Sequence, residues 1–345
     1  MTNTAFKSTL LSTLSARGFI HQVSEPEKLD AALSSGTPRA AYVGFDLTAD
    51  SLHVGHLLTI MLLRHWQDAG HRPIVLLGGG TTKVGDPSGK DTQRQLLDDA
   101  AIAANKAGIE RLFRQYLRFD DSPTGAVVVD NADWLLHLNY VEFLRDIGVH
   151  FSINRMLTFD SVRLRLEREQ PLSFLEFNYM LLQSYDFLEL NKRHDCLVQM
   201  GGSDQWGNMV SGIDLVRRVA GKETFVVTVP LLTTAGGAKM GKTAGGAVWM
   251  SAARLSVCDF WQYWRTADDA DVERFLKLFT LLPLAEIEAL CAGGGAALNG
   301  AKVRLATEVT ALAHGRDAAL EAEATAARVF AGGGLEGLPV VALTL

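Results

Sequence analysis

The 345-residue sequence has few cysteines, no long apolar run and no excess of positive charge, and each shortage excludes a class of protein. Its three cysteines, Cys196, Cys258 and Cys291, are widely separated and odd in number, which argues against a disulfide framework and fits a reducing compartment. No run reaches the length of a membrane span, and the N-terminus lacks an apolar signal core. The net charge of −6 provides no general attraction to nucleic acid. We therefore expect a cytoplasmic protein with no membrane partner.

The most informative stretch runs from Tyr42 to His56 and reads Y-V-G-F-D-L-T-A-D-S-L-H-V-G-H. It begins as a buried strand, turns at Gly44, and leads into an apolar-periodic run that predicts a helix from residue 57. His53 and His56 are three residues apart at the start of this helix, so they are expected to share one face. Gly55 between them leaves room for a close approach to the backbone.

Short apolar runs alternate with helical patterns along the first 250 residues, and this alternation predicts parallel strands covered on both faces. The strands are expected near residues 40–44, 72–77, 126–129, 196–200 and 225–229. The predicted fold class is α/β: a Rossmann-like parallel-sheet nucleotide-binding domain over 1–250, with N-terminal helices and a helical insertion at about 100–193. An all-helical domain is expected over 251–330, followed by a linker over 331–345.

A glycine-rich loop follows the second strand and ends in G-D-P-S-G-K, at Lys90. It fails the P-loop pattern, because only three residues separate Gly85 from Gly89 and Asp91 stands where Ser or Thr should hold magnesium. The loop can still offer backbone N–H groups and a lysine to an anion. A plain turn-rich connection is the alternative.

A polar stripe is expected on the helix that contains Tyr179, Gln183 and Asp186, at positions i, i+4 and i+7. Each of its polar groups needs a hydrogen-bond partner if the stripe faces the core. This favours a pocket wall over solvent-exposed surface.

A later loop, from Thr233 to Gly246, carries the basic sequence K-M-G-K-T and could be an ordinary exposed loop. The two histidines could likewise be structural. A zinc site is disfavoured, because no further His or Cys pair offers the remaining ligands. The other possibility is that both rings donate hydrogen bonds to a phosphate at a helix N-terminus.

The combination of H-V-G-H with a later K-M-G-K-T resembles the class I aminoacyl-tRNA synthetases. Together with Y-V-G-F-D-x-T-A-D-S-L, G-D-P-S-G-K, N-Y-x-x-x-Q-S-Y-D and Q-x-G-G-S-D-Q-W-G-N, it looks like the bacterial-type tyrosyl-tRNA synthetases. The matches are spread over about 40–250. Leu47 stands where the family usually has proline, and Gly241 and Thr243 replace two serines of the class consensus.

The resemblance implies a two-step reaction, in which L-tyrosine is activated by ATP, with Mg²⁺ in the substrate complex, and then transferred to tRNA(Tyr). It implies no permanent cofactor and no protein metal site. The groups implied to act on the ATP phosphates and pyrophosphate are His53, His56, Thr59, Lys239, Lys242 and Thr243. The residues implied to bind tyrosine are Tyr42, Asp86, Tyr179, Gln183, Asp186 and Gln199. Those implied to contact ATP or the adenylate are Gly44, Asp46, Gly55, Gly202, Asp204, Gln205 and Lys90.

The resemblance also implies a homodimer, with its interface near the helices after Asn131, and a C-terminal RNA-binding domain that this chain would lack. The candidate tRNA contacts are the basic residues Arg155, Arg163, Arg165, Arg168, Arg217, Arg218 and Lys222. Three alternatives remain at this point: a tryptophanyl-tRNA synthetase, another adenylyl-transferring enzyme, and a non-catalytic RNA-binding relative. A Tyr42–Asp186 pair would favour a phenolic substrate. Phenylalanine has no hydroxyl, so it would leave the buried polar groups of Tyr42 and Asp186 unpaired.

Overall fold

A computed structural model describes residues 6–88, 97–237, 240–243 and 246–330. The helices are α1 (Thr9–Arg17), α2 (Pro26–Leu33), α3 (Leu57–Asp68), α4 (Asp99–Tyr116), α5 (Ala132–Leu135), α6 (Tyr140–Asp146), α7 (Ile153–Met156), α8 (Asp160–Glu167), α9 (Phe174–Phe177), α10 (Tyr179–His194), α11 (Trp206–Ala220), α12 (Val257–Arg265), α13 (Asp269–Phe279), α14 (Leu284–Cys291), α15 (Ala296–His314) and α16 (Arg316–Phe330). The strands are β1 (Gln22–Val23), β2 (Ala40–Phe45), β3 (Arg72–Leu77), β4 (Val127–Asp130), β5 (Cys196–Gly202), β6 (Phe225–Val229), β7 (Lys242–Thr243) and β8 (Gly246–Ala247).

The main sheet has the strand order β1-β6-β5-β2-β3-β4. Strands β2 to β6 pair in parallel, and β1 adds an antiparallel edge. From β2 the chain proceeds to β3 on one side, whereas β5 lies on the other side and leads to β6. The sheet therefore has a topological switch point between β2 and β5, which is where ligands bind in open parallel sheets.

The chain divides into two compact units. The first unit contains Met1–Asp50, Leu62–Glu110 and Leu117–Leu231, and it holds the whole six-stranded sheet. The second unit contains Ser51–Met61, Arg111–Tyr116 and the residues from Leu232 onward. In the second unit α12 packs against α15 and α16, and α13 and α14 also pack against α15.

The core of the first unit explains why the predicted strands form. The side chains of β3 from Pro73 to Leu77 are all buried, as expected for a strand covered on both faces. A cluster that includes Tyr42, Ile74, Phe187 and Leu215 joins the sheet to α10 and α11. The α/β class predicted from the sequence is therefore confirmed.

Two local features differ from the sequence-based expectation. Only helices were predicted at the N-terminus, but β1 lies between α1 and α2 and pairs with β6. This strand has only two residues, too few to produce a recognisable period. The K-M-G-K-T loop also contains regular structure, because β7 and β8 form a small antiparallel pair.

Candidate active site

Tyr42 and Gln199 are direct neighbours at the switch point of the sheet, on β2 and β5. Both side chains are buried, and neither the Tyr42 hydroxyl nor the Gln199 Oε1 atom has a hydrogen-bond partner among the described residues. A buried polar atom without a partner costs on the order of 1–3 kcal/mol. Such atoms are therefore candidates for contact with a polar ligand.

Asp186 lies on α10 and is only 2% exposed. Its carboxylate accepts hydrogen bonds from the indole Nε1 of Trp134 at 2.8 Å and from Asn131 Nδ2 at 2.9 Å. Burial raises the pKa of Asp186 to about 7, although these two donors act in the opposite direction. Burial and the nearby negative charge of Asp186 raise the pKa of Tyr42 well above its ordinary value. The two predicted tyrosine-binding groups thus interact electrostatically.

Asn131 connects Asp186 to a second carboxylate. Its Nδ2 atom also donates to Thr81 Oγ1 at 3.0 Å, and Thr81 Oγ1 donates to Asp46 Oδ1 at 3.1 Å. The Tyr179 hydroxyl donates to the same Asp46 oxygen at 3.2 Å. We refer to Asp46, Thr81, Asn131, Trp134, Tyr179 and Asp186 as the Asp186 cluster. It brings together three residues predicted for the site, Asp46, Tyr179 and Asp186.

Glycines after β3 let the backbone approach these acids. A Cβ atom on Gly78 would lie 2.7 Å from Asp46 Oδ1, and one on Gly79 would lie 2.4 Å from Asp130 Oδ1. The backbone N–H of Gly79 donates to Asp130 at 3.1 Å, and that of Gly80 donates to Asn131 Oδ1 at 2.8 Å. The glycine turn therefore helps to fix the side chains that follow β4.

A second polar chain joins four more side chains in the first unit. Gln205 Nε2 donates to Asp86 Oδ2 at 2.9 Å, and Asn208 Nδ2 donates to Gln183 Oε1 at 3.0 Å and to Gln205 Oε1 at 3.4 Å. Asp86, Gln183 and Gln205 were all predicted site residues, from three separate stretches of sequence. Each member of the polar stripe on α10 bonds another polar side chain, as polar groups that face the interior require; that the stripe forms a pocket wall stays a prediction.

The histidine motif lies in the second unit, in the 3-10 turn Val54–His56 that precedes α3. His53 Nδ1 accepts from the backbone N–H of Gly55 at 3.1 Å, and His56 Nδ1 accepts from the backbone N–H of His53 at 3.4 Å. The two ring centroids are 4.2 Å apart, so both histidines share one face as expected. A neutral ring that accepts at Nδ1 carries its proton on Nε2 and can donate it to an anion. Thr59 Oγ1 donates to the His56 carbonyl at 2.8 Å.

The two signature motifs are joined through main-chain hydrogen bonds of Val248. Its N–H donates to the Gly241 carbonyl at 3.0 Å, and its carbonyl accepts from the Val54 N–H at 3.0 Å. Gly241 has a φ of +83°, and a Cβ atom there would lie 2.8 Å from the Gly55 nitrogen. We call the segments 52–56, 240–241 and 246–250 the signature junction. Glycine at position 241 is required by both the backbone angle and the close contact.

The remaining predicted residues are located as follows. Lys90 and Lys239 lie outside the described residues. The backbones of Lys242 and Thr243 form β7. Gly202 ends β5 and packs closely on Asp204, because a Cβ atom would lie 2.6 Å from the Asp204 carboxylate. Gly44 lies in β2 with an exposed position between buried neighbours.

Sequence reasoning missed four polar residues, Thr81, Asn131, Trp134 and Asn208. Asn131 had a usable signal, because it directly follows a buried strand at the carboxyl end of a parallel sheet. Trp134 is close to it on α5, but a tryptophan after a strand gives no indication that its indole bonds a carboxylate. The contacts of Thr81 and Asn208 depend on segments far apart in the sequence.

Between residues 155 and 168, at least three of the four arginines predicted as tRNA contacts form ion pairs with acidic side chains. Arg165 is 3% exposed and forms a buried ion pair with Glu176 at 2.8 Å, so it is not part of a solvated face. Arg163 pairs with Asp160 and Glu167, and Arg155 pairs with Asp214. Within the described ranges, no group of three or more His, Cys, Asp or Glu side chains could hold a metal ion.

A protein-family model described as tRNA synthetases class I (W and Y) matches residues 34–331. This match includes the parallel sheet, the Asp186 cluster and both signature motifs. The fold and site therefore define the class as that of the class I tRNA synthetases acting with tryptophan or tyrosine.

Individual relatives narrow the class. The chain is 61% identical over 331 residues to a tyrosine–tRNA ligase of Caulobacter sp. (strain K31), covering 96% of this chain and 79% of the relative. It is 59% identical to a tyrosine–tRNA ligase of Mesorhizobium japonicum, covering 98% and 81%. A C-terminally truncated mitochondrial tyrosyl-tRNA synthetase of Aspergillus nidulans has a TM-score of 0.84 at 30% identity, with 94% of both chains covered. The chain belongs to the tyrosyl-tRNA synthetase family.

Proposed function

We propose that this protein is a tyrosine–tRNA ligase that activates L-tyrosine with ATP and transfers it to tRNA(Tyr). In the first step a tyrosine carboxylate oxygen bonds to the α-phosphorus of ATP while the bond to the departing pyrophosphate breaks. In the second step a terminal ribose hydroxyl of the tRNA attacks the tyrosyl carbonyl, and AMP leaves. Neither step needs a protein nucleophile, so the protein contributes positioning and charge stabilisation.

The observation that carries the choice of amino acid is the buried Asp186 beside Tyr42. Asp186 already accepts from Asn131 and Trp134, which fix its position and leave acceptor capacity on its two oxygens. The Tyr42 hydroxyl is buried and has no partner among the described residues. We propose that the substrate phenol donates to Asp186 and accepts from Tyr42. An indole lacks the acceptor and a phenyl ring lacks both groups, so tyrosine is preferred.

The other proposed tyrosine contacts follow the polar groups of the first unit. Tyr179, Asp86 and Gln183 are the candidates for the α-amino group, since each belongs to a hydrogen-bond chain with carboxylate or amide oxygens. Gln199 is the candidate for the carboxyl end. Gly44, Asp46, Gly202, Asp204 and Gln205 remain the candidates for the adenylate, as the family resemblance implies.

In the second unit, His53, His56 and Thr59 are the proposed phosphate-binding residues, and Gly55 lies between the two histidines, where a Cβ atom would be 2.7 Å from the His53 ring. Because Nδ1 of each ring accepts from a backbone N–H, we propose Nε2–H as the atom that donates to the phosphate. Lys242 and Thr243, held next to this turn through Gly241, are proposed to stabilise the departing pyrophosphate. We extend the same role to Lys239, and propose a phosphate contact for Lys90, on the family resemblance alone.

The direct test is ATP–pyrophosphate exchange, measured separately with tyrosine, phenylalanine and tryptophan. We expect exchange with tyrosine and only weak exchange with the other two. Exchange supported best by tryptophan would reject the assignment of the phenol site, and no exchange with any amino acid would reject the proposed enzyme. We propose Mg²⁺ as part of the ATP substrate complex, so exchange should stop when EDTA is added in excess.

We also propose a homodimer and a cytoplasmic location. In the described part of the chain, no helix is both long and apolar enough to cross a membrane. Large apolar side chains that are at least half exposed concentrate between residues 136 and 174, which is unusual for a free surface. Within this stretch they are Leu136, Tyr140, Val141, Val149, Ile153, Leu166 and Phe174; among the described residues, Leu231 is also at least half exposed but lies outside the stretch.

The dimer is tested by sedimentation of two single variants. Val141→Asp places a charge on the most exposed of these residues, 72% exposed, and should convert the dimer to monomer. Leu320→Asp changes an apolar residue of α16, 49% exposed, and should leave the dimer intact. A dimer that tolerates Val141→Asp would place the interface elsewhere.

For tRNA, the proposed contacts are Arg217, Arg218 and Lys222 at the end of α11. Arg217 and Lys222 have exposed side chains in ion pairs with Asp214 and Asp195. Exposed pairs of this kind are worth less than about 1 kcal/mol, so a phosphate can displace the carboxylate. Charge-removing variants should weaken tRNA charging and leave tyrosine-dependent exchange unchanged.

A further inference from the structure

The segment that leads to the lysine motif has little apolar packing to hold it. Thr233, Ala235, Gly236 and Gly237 are exposed, and Leu232 and Thr234 are only partly buried. A turn closes between Thr234 and Gly237, whose N–H donates to the Thr234 carbonyl at 2.8 Å. With so little burial, the position of residues 232–237 depends on hydrogen bonds to neighbouring elements.

Two residues of α13 supply such bonds. Asp271 Oδ2 accepts from the backbone N–H of Ala235 at 2.8 Å, and Arg274 Nη2 donates to the Thr233 carbonyl at 2.7 Å. Asp271 and Arg274 also form an ion pair with each other. The Asp271 side chain is 4% exposed, so its charge is compensated by the Ala235 N–H and the Arg274 guanidinium. Thr233 and Ala235 are therefore fixed from the same helix by a mutually paired acid and base.

The backbone next to residues 233–235 is hydrogen-bonded to the lysine motif. The Met240 N–H donates to the Leu232 carbonyl at 3.1 Å, and Met240 is buried. Gly241 follows and forms the contact with Gly55 and the bond to Val248 described above. Lys242 is the next residue along the chain and pairs through its backbone with Ala247.

We infer that Asp271 and Arg274 are positioning residues for adenylate formation, acting through residues 232–237, 240 and 241 on the backbone position of Lys242. They need not touch a substrate. This inference rests on the proposed function, because it assumes that Lys242 stabilises the departing pyrophosphate. It assigns to α13 a role in the reaction in addition to its packing against α14 and α15.

The experiment uses three variants and measures ATP–pyrophosphate exchange, tyrosine affinity and thermal melting. Asp271→Asn keeps the shape but removes the charge, so it can no longer satisfy both the Ala235 N–H and the Arg274 guanidinium. Arg274→Met removes the donors and keeps the aliphatic stem. Arg274→Lys keeps one charged donor. Glu273→Gln is the control, because Glu273 lies on the same helix and pairs with Lys277 at the surface.

We expect Asp271→Asn and Arg274→Met to lower kcat for exchange by roughly tenfold or more, since a displacement of about 1 Å at a reacting group can cost about a hundredfold. The KM for pyrophosphate should rise, whereas the dissociation constant of tyrosine should not change. Arg274→Lys should recover part of the rate, and Glu273→Gln should behave as the parent protein.

Two results would overturn the inference. One is exchange by Asp271→Asn and Arg274→Met equal to that of Glu273→Gln. The other is a parallel loss of tyrosine affinity and melting temperature without recovery in Arg274→Lys, which would indicate a purely structural role. If the parent protein itself catalyses no tyrosine-dependent exchange, the proposed function fails instead, and the two failures are thus distinguishable.

Discussion

The Asp186 cluster and the signature junction are built from different kinds of contact. In the Asp186 cluster, side chains bond side chains: an indole, an amide, two hydroxyls and two carboxylates from distant parts of the first unit. In the signature junction, the main chain bonds the main chain, through Val248, Gly241 and Val54. The former depends on which functional groups are present. The latter depends on how closely two backbones can approach.

The two kinds of contact suit the two roles that we propose, which are selection of the amino acid and stabilisation of charge during the reaction. A buried side-chain network distinguishes between ligands, because a wrong ligand leaves its polar groups unpaired. A junction of main-chain hydrogen bonds cannot distinguish one amino-acid side chain from another. It can, however, hold loop residues at a fixed distance from a helix N-terminus, where anions are favoured. We therefore expect isosteric substitutions to impair the Asp186 cluster most, and added Cβ atoms to impair the signature junction most.

The largest expected effect is on amino-acid selection, through Asp186→Asn. The variant keeps the shape of the side chain but loses the charged acceptor, and a hydrogen bond to a charged group contributes about 1.5–3 kcal/mol. The ratio of kcat/KM for tyrosine over phenylalanine in pyrophosphate exchange should fall on the order of a hundredfold. Tyr42→Phe should lower the same ratio by a smaller factor, because the lost hydroxyl is neutral.

The matched control for the tyrosine variant is Tyr140→Phe, which removes a hydroxyl from a side chain that is 61% exposed. Its discrimination ratio should equal that of the parent protein. If both Asp186→Asn and Tyr42→Phe kept the parent ratio of kcat/KM for tyrosine over phenylalanine, the assignment of the phenol site would be wrong. The proposed difference in role between the Asp186 cluster and the signature junction would then also be lost.

A somewhat smaller effect is expected from Gly241→Ala in the signature junction. The new Cβ atom would lie 2.8 Å from the Gly55 nitrogen, and φ of +83° adds strain of about 1–2 kcal/mol. The rate of adenylate formation in single turnover should fall by a factor on the order of 30, because a small displacement of the neighbouring Lys242 strongly lowers the rate. Tyrosine affinity should be retained. Gly241→Ser, which restores the class consensus residue, should be no better.

Gly237→Ala is the control for backbone strain in this experiment. Gly237 has nearly the same φ, +81°, but a Cβ atom there meets no atom of the described residues within 4 Å. Gly237→Ala therefore introduces the same backbone strain as Gly241→Ala but no close contact with Gly55. If the two variants slow adenylate formation equally, the approach of Gly241 to Gly55 has no role, and strain alone explains the loss.

The two regions also differ in how far the sequence could predict them. The parallel strands β2 to β6 followed from apolar runs such as Ile74–Leu77, since a buried parallel strand depends on local composition. The pairing of His53 with His56 followed from helical spacing. Asp186 was predicted as a pocket residue from the polar stripe of α10. These are all properties of short segments.

What the sequence could not predict depends on contacts between distant segments. Trp134 and Asn208 bond predicted site residues, but no period or spacing marks them. Arg165 was predicted as a tRNA contact, yet it is buried, and Glu176 compensates its charge. Val248 joins the two motifs with backbone atoms only, so its side chain contains no signal. Gly241 was noted as a departure from the consensus, and its backbone angle supplies the reason.

The smallest expected effect concerns the pH dependence of tyrosine binding, and it again separates the regions. Burial raises the pKa of Asp186 to about 7, with further contributions from the negative charges of Asp46 and Asp130. Below this value the group is an uncharged acid, and above it the carboxylate accepts the phenol hydrogen bond more strongly. Tyrosine affinity should therefore rise about tenfold between about pH 6 and pH 8, because the charged form of Asp186 increases from a minor to the major species over this range. The dissociation constant can be measured by equilibrium titration without ATP.

Phenylalanine provides the internal comparison for this pH effect, because it has no hydroxyl to report the charge of Asp186. Its weaker binding should change little over the same range, and Asp186→Asn should flatten the tyrosine profile. A tyrosine profile that keeps its slope in Asp186→Asn would assign the titration to another group. A slope of the opposite sign would mean that the protonated acid is the form that binds, with Asp186 donating to the phenol oxygen instead of accepting from it.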